Sequence, residues 1–142
     1  MNYEMYHTHP LNKGIHIACI PMIVLSTYNL LSLIKIKVCK NNVELQQPLL
    51  VLLLYNYLNY SFKAFMVMSV YFYIIQKISK FQKRIQQNYV KSNIYMLTYA
   101  WVLQFIGHYI EGNKPASSDG IIQAFTEAPL FSISYVLPFE VI

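Results

Sequence analysis

Charge is what this sequence has least of. Asp, Glu, Lys and Arg make up 12% of its 142 residues, against about 25% in an ordinary soluble domain. A chain so poor in charge cannot cover its apolar surface with polar groups. With 56% hydrophobic residues and a positive mean hydropathy, lipid rather than water is implied as its solvent. Cysteine is scarce too: Cys19 lies inside an apolar run, Cys39 stands alone, and neither has metal-type spacing, which argues against a disulfide-built secreted fold. The opening "MNYEMYHTHP" has no cationic n-region and no apolar core, so no cleavable signal is expected. G-x-S-x-G, P-loop, G-x-G-x-x-G and H-E-x-x-H patterns are all missing, which counts against hydrolase, nucleotide and zinc-protease chemistry.

What is present is a series of uncharged runs. Residues 17–34 are just long enough to cross a bilayer, with Pro21 expected to kink or restart the helix. Residues 48–62 and 64–76, divided by Lys63, are together too long for one upright helix, and each is shorter than the ~20 residues of a simple span. Two short helices forming a hairpin that turns near "NYSFK" fit this pattern. Residues 92–111 form a further span, "GNKPASSDG" is a loop, and residues 120–142, interrupted by Pro129 and Pro138, read as an interfacial tail. No internal repeat is visible. The expected architecture is all-α: a single integral membrane domain, residues 1–142, of about four short transmembrane or re-entrant helices.

The cations cluster. Lys77, Lys80, Lys83, Arg84 and Lys91 fall in one stretch without an acid, read as a loop, and Lys35, Lys37 and Lys40 fall in another near Glu44. Beside membrane segments such stretches mark the cytoplasmic side, and no nucleic-acid recognition motif accompanies them. If both face the cytoplasm, the 48–76 region enters and leaves there. The start of the first span and the end of the last then share the opposite side.

That topology brings together two polar stretches. In "HTHPLNKGIH", Thr8 is placed to cap a helix with Pro10 in its first turn, and His9, Asn12 and His16 fall at i, i+3 and i+7, on one face. In "WVLQFIGHYIEGNKPA", Trp101, Gln104, His108 and Glu111 form a second stripe. Facing stripes would supply imidazoles, a carboxylate and two amides within an apolar shell. Histidines with a carboxylate suit iron or zinc, and an iron site with open positions takes oxygen and substrate together. Asn12 and Gln104 suit the layer behind the ligands, orienting a ring or holding substrate, and Glu111 suits ligation or proton acceptance. Against this, a single histidine at the headgroup level is usually only amphipathic; ionisable groups at membrane-helix edges shift the balance because burying them unpaired is costly. The thirteen tyrosines, eight phenylalanines and the methionines are assigned to belt and core.

"YHTHPLNKGIHIACIP" fits Tyr-His, then Pro-x-Asn-x-x-x-His, then an apolar stretch with Pro; "QFIGHYIEGNKPA" fits Gln-Phe-Ile-Gly-His-x-x-Glu-Gly-x-x-Pro-Ala. In motif order, separation and intervening apolar runs the chain resembles the Mpo-like family, associated with 2-hydroxy fatty acid dioxygenase activity. The resemblance implies an endoplasmic-reticulum membrane enzyme using Fe(II) and O2 to shorten a 2-hydroxy fatty acid by one carbon, as in the α-oxidation of phytosphingosine breakdown. It assigns His7, His16 and His108 to the family histidines, and Asn12, Gln104, Glu111 and Pro115 to its other motif residues. His9 does not fall on a family histidine position, Thr8 stands where a His or Arg often follows, and Tyr135 occupies a place where fungal members can carry Glu.

The expected metal ligands are therefore drawn from His7, His16, His108 and His9, with Glu111 joining the catalytic histidines and Asn12 and Gln104 holding the bound group. The expected partners are a 2-hydroxy fatty acid, O2 and membrane lipid, with no nucleic acid. The competing expectation is a non-catalytic membrane protein whose histidines are structural or bind metal for assembly. A metal-dependent lipid hydrolase is the remaining enzymatic alternative.

Overall fold

A computed structural model describes residues 9–112 and 121–136. In chain order the elements are α1 (Pro10–Leu31), β1 (Lys35–Val38), β2 (Asn41–Glu44), α2 (Gln46–Tyr60), α3 (Phe62–Ile85), α4 (Tyr89–Glu111) and α5 (Ile121–Val136). Apart from one small hairpin the described chain is helical, so the all-α expectation holds.

Three local features depart from the sequence reading. Pro21 does not divide the first segment: α1 is one helix from Pro10 to Leu31. One proline removes a single backbone donor, and an apolar helix can absorb that loss. The His-bearing stretch and the apolar run are thereby one element. Second, Lys77, Lys80, Lys83 and Arg84 are not in a loop but in the last turns of α3. The buried residues Ala64, Met68, Phe72, Ile75 and Ser79 recur every three or four positions, so the inward stripe continues beneath the cations and carries the helix with it. Third, residues 35–44 pair as an antiparallel hairpin, Lys35 opposite Glu44 and Ile36 opposite Val43, with Cys39 at φ 55 in the turn. Ile36 and Val43 face each other across the strands, while Lys35 and Lys37 remain exposed.

The break between α2 and α3 is a single residue. Ser61 is extended (φ −165, ψ 140), its hydroxyl accepts a hydrogen bond from the Ala64 backbone N–H, and its own N–H closes the end of α2 on Tyr57 O. A serine in this geometry both stops one helix and starts the next.

Contacts divide the chain into two units. In the first, which among the described residues comprises 9–23, 96–112 and 121–136, Cys19, Ile23 and Ala100 are buried at the centre, with Ile15, Met22, Leu97, Trp101 and Leu103 packed around them. In the second, residues 24–95, α2 packs on α3 and the interior is partly polar. There Asn29 donates from Nδ2 to Gln82 Oε1 (2.7 Å) and Asn93 Oδ1 (2.8 Å), Asn93 Nδ2 donates to Tyr89 O, and Ser32 Oγ donates to Asn29 O. Cross-helix amide bonds of this kind join helices where apolar packing alone gives no directional preference. Among the described residues, α1 is the one helix long and apolar enough to cross a bilayer.

Candidate functional site

In the first unit the beginning of α1 runs beside the end of α4. His16 and His108 are both buried, with ring centroids 4.9 Å apart and planes at 89°. His16 Nδ1 lies 2.9 Å from the backbone oxygen of Asn12, one turn earlier on α1. A carbonyl can only accept, so Nδ1 carries a proton. Anchoring one ring nitrogen on a carbonyl is how proteins aim the other at a metal.

Glu111, one turn beyond His108, closes the two helices together. Its Oε1 accepts from the backbone N–H of His9 at 3.1 Å, and its Oε2 accepts from Asn12 Nδ2. The first N–H groups of a helix lack intrahelical partners and sit at the positive end of its dipole, so a carboxylate is the fitting cap. Here that cap comes from another helix. The closeness depends on Gly107: a Cβ at this position would overlap Asn12 Oδ1 and crowd the Ile15 side chain.

The other expected residues are placed as follows. Asn12 is fully buried, and Gln104 is buried one turn before His108. Among the described residues, Gln104 Nε2 is a buried donor with no hydrogen-bond partner and Asn12 Oδ1 a buried acceptor without one. His9 is half-buried just before α1, and its Nδ1 accepts from the Leu11 backbone N–H at 3.2 Å. His7, Thr8 and Pro115, and the side chain of Tyr135, lie outside the described residues. No group of three or more His, Cys, Asp or Glu side chains among the described residues is arranged to hold a metal ion. The packed imidazoles of His16 and His108 are the described part of any such site.

Sequence reasoning placed Glu111 among catalytic groups without seeing that its two oxygens meet the start of α1, and it gave Gly107 no role. The one available signal for Gly107 was a glycine in the interior of an apolar helix, where a small residue commonly marks close helix approach.

Fold and site together define a helical protein with an apolar exterior and an imidazole pair clamped between two helix ends. The sequence model of the family described as "2-hydroxy-palmitic acid dioxygenase Mpo1-like" matches residues 1–138, and the chain belongs to that family. Dioxygenase chemistry on a 2-hydroxy fatty acid is thereby its family-level activity. No curated protein and no solved structure matches the chain.

Proposed function

We propose that this chain is an iron-dependent membrane dioxygenase that shortens 2-hydroxy fatty acids by one carbon, as in α-oxidation of the acids released by phytosphingosine breakdown. The observation that carries the proposal is the buried, mutually perpendicular His16–His108 pair, held by Glu111 across the ends of α1 and α4. His16 and His108 would hold Fe(II), with His7 as the further ligand that the family motif assigns and His9 as the other imidazole within the same stretch. The donor set fits: Nδ1 of His16 is anchored on a backbone carbonyl, as behind metal-bound imidazoles, and Gln104 offers a buried amide N–H where an anionic substrate needs one.

Iron, when bound, supplies chelation of the substrate's carboxylate and 2-hydroxyl and activation of O2. The residues of the chain do the rest. Gln104 Nε2 donates to a carboxylate oxygen of the acid and fixes which face of C2 is presented. Asn12 and Glu111 hold the first turn of α1 against α4, so that both imidazoles keep their separation. The apolar core around Cys19, Ile23 and Ala100 keeps water from the reacting carbons.

Membrane residence is part of the proposal. α1 is long enough to span, and large side chains such as Val51, Leu52, Phe62, Val70, Tyr99 and Phe105 are at least half exposed. A surface of that kind suits lipid and is a liability in water. The acyl chain of the substrate is soluble in the same phase, which accounts for a site built between apolar helices. We place the protein in the endoplasmic reticulum on the family resemblance, as one membrane domain with α2 and the uncharged first part of α3 as its inserted pair.

The test is direct. Full-length protein in mild detergent, loaded with Fe(II) without oxygen, is given 2-hydroxypalmitate and then O2, and the acids are separated by mass. The expected product is the saturated acid with one carbon fewer. Stoichiometric bound iron with no shortened acid would sink the proposal. One observation favours a second reading, a non-catalytic protein with a structural imidazole pair: the described residues supply fewer than three clustered ligands. That reading expects no iron in the pure protein.

A further inference from the structure

Residues 24–95 carry nine of the eleven Lys and Arg side chains of the chain but one of its six acids, Glu44. The remaining residues hold two cations and five acids. Within residues 24–95 the cations are further concentrated. Lys35, Lys37 and Lys40 project from the hairpin, all exposed. Lys77, Lys80, Lys83 and Arg84 are exposed along the last turns of α3, and Lys91 is exposed in the first turn of α4. Glu44 joins the two groups: it stands opposite Lys35 in the hairpin and lies 3.8 Å from Lys83 on α3. The hairpin and the end of α3 therefore form one cationic surface with a single carboxylate, itself already engaged.

Two further features indicate what this surface meets. Three of its lysines lie over tyrosine rings: Lys77 over Tyr73 (5.2 Å), Lys91 over Tyr95 (5.7 Å) and Lys83 over Tyr89 (5.9 Å). Lysine beside tyrosine at the end of an apolar helix is the signature of a headgroup layer, where the ring sits between hydrocarbon and water and the ammonium reaches outward. Between the cations stand exposed apolar side chains, among them Val38 on the hairpin and Ile78, Phe81 and Ile85 on α3. A nucleic-acid surface would place polar or stacking groups there, whereas cations interleaved with aliphatic side chains suit a charged surface that hydrocarbon underlies.

We propose that this surface binds the anionic headgroups of the bilayer, so that the protein selects acidic phospholipids around the hairpin and the end of α3. The inference rests on the membrane reading but not on the dioxygenase reading. Unpaired cations next to a negative leaflet are attracted over roughly one Debye length, which makes the selection salt-dependent.

The test uses full-length protein in non-ionic detergent, offered equal amounts of phosphatidylglycerol and phosphatidylcholine, with retained lipid counted by native mass spectrometry. Wild type is expected to retain phosphatidylglycerol at least tenfold over phosphatidylcholine, and to lose most of that preference between about 0.05 and 0.5 M salt. The combined variant K77Q/K80Q/R84Q should lose the preference, as should K35Q/K37Q/K40Q. Lys63→Gln, at the opposite end of α3, should leave it unchanged. Equal retention of the two lipids by wild type overturns the proposal, as does a loss on Lys63→Gln as large as that of either triple variant. A single-stranded oligonucleotide that displaces phosphatidylglycerol at physiological salt overturns it in favour of nucleic acid. Carbonate extraction of native membranes is the separate check on the membrane reading: protein released by carbonate denies that reading, whereas protein that stays and shows no headgroup preference denies this inference alone.

Discussion

Helices α1 and α4 each bury polar side chains in both units, and the two sets differ in kind. Near residues 12–16 and 104–111 the groups are imidazoles, a carboxylate and two amides, of which Asn12 Oδ1 and Gln104 Nε2 are buried without partners. Near residues 29–32 and 82–93 they are neutral amides and hydroxyls, with Asn29, Gln82 and Asn93 bonded across helices and Asn29 Oδ1 and Gln86 Oε1 left without partners. Neutral amides that bond one another across helices specify how the helices meet. Buried ionisable imidazoles and a half-buried carboxylate, beside an amide N–H without a partner at Gln104, are retained at a cost that binding or chemistry offsets. Burial of polar groups alone does not separate a joint from a site; the kind of group buried does.

The largest effects should come from removing the chemistry of the first set. His16→Ala and His108→Ala are each expected to lower turnover of 2-hydroxypalmitate by about 10³-fold or more, because loss of a ligand removes several kcal/mol of metal-dependent stabilisation. Iron content of the purified variants should fall in parallel while membrane insertion, read by carbonate extraction, is unchanged. Asn29→Ala should do the reverse: iron retained per folded molecule, activity near wild type, and a lower thermal midpoint. If Asn29→Ala abolished activity in still-folded protein, the distinction between joint and site would fail.

Gly107→Ala sits between these cases. Its methyl group meets an Asn12 side chain that Glu111 already holds, so the helices must separate or the clamp must open. We expect a stability loss of about 1–3 kcal/mol, the range for overpacking a filled interior, together with reduced activity. Glu111→Gln should act through the same clamp. A glutamine has one oxygen, so it can accept from the His9 N–H or from Asn12 Nδ2 but turns a donor on the other, and activity should fall about 10- to 100-fold, as for groups that orient ligands. Retained iron with lowered turnover would mark Glu111 as a clamp, and complete loss of iron would mark it as a ligand. Asn29→Ala is expected to cost about 1–3 kcal/mol, since it leaves Gln82 and Asn93 without their donor.

The smallest effect should be at Gly14. An added Cβ there meets nothing within 4 Å, and the residue lies inside α1. Gly14→Ala should be neutral or stabilising by up to about 1 kcal/mol, from helix propensity alone. Measured beside Gly107→Ala in one detergent, it separates the general effect of glycine in an apolar helix from the specific need for close approach.

Much of the fold was legible before the structure. The apolar runs marked α1, α2 and α4, because helices buried in lipid or in each other need uncharged faces over their whole length. The charge pattern was legible as position but not as conformation. Four cations in a row of turns suggested a loop, whereas the stripe from Ala64 to Ser79 continues the helix beneath them. A period of three to four was present there, but the interleaved cations obscured it. The hairpin at 35–44 was missed for a related reason: its strands are four residues each and mostly exposed, too short for a strand period to stand out.

By itself, the sequence determined the class of the protein, the residues available for chemistry and their spacing along each helix, since these depend on composition and on periods of a few residues. It narrowed the ligands to a handful of imidazoles and named the family motif that contains them. Only the tertiary structure decided that Asn12 and Glu111, 99 positions apart, share a hydrogen bond, that Glu111 caps a helix 102 positions before it, and that Gly107 makes room for both. It likewise decided that Asn29 meets Asn93 rather than a ligand. The physical reason is one of range: propensity and periodicity act over a turn or two, while a clamp, a joint and a pair of facing rings exist only after two distant helices have packed and left particular valences open.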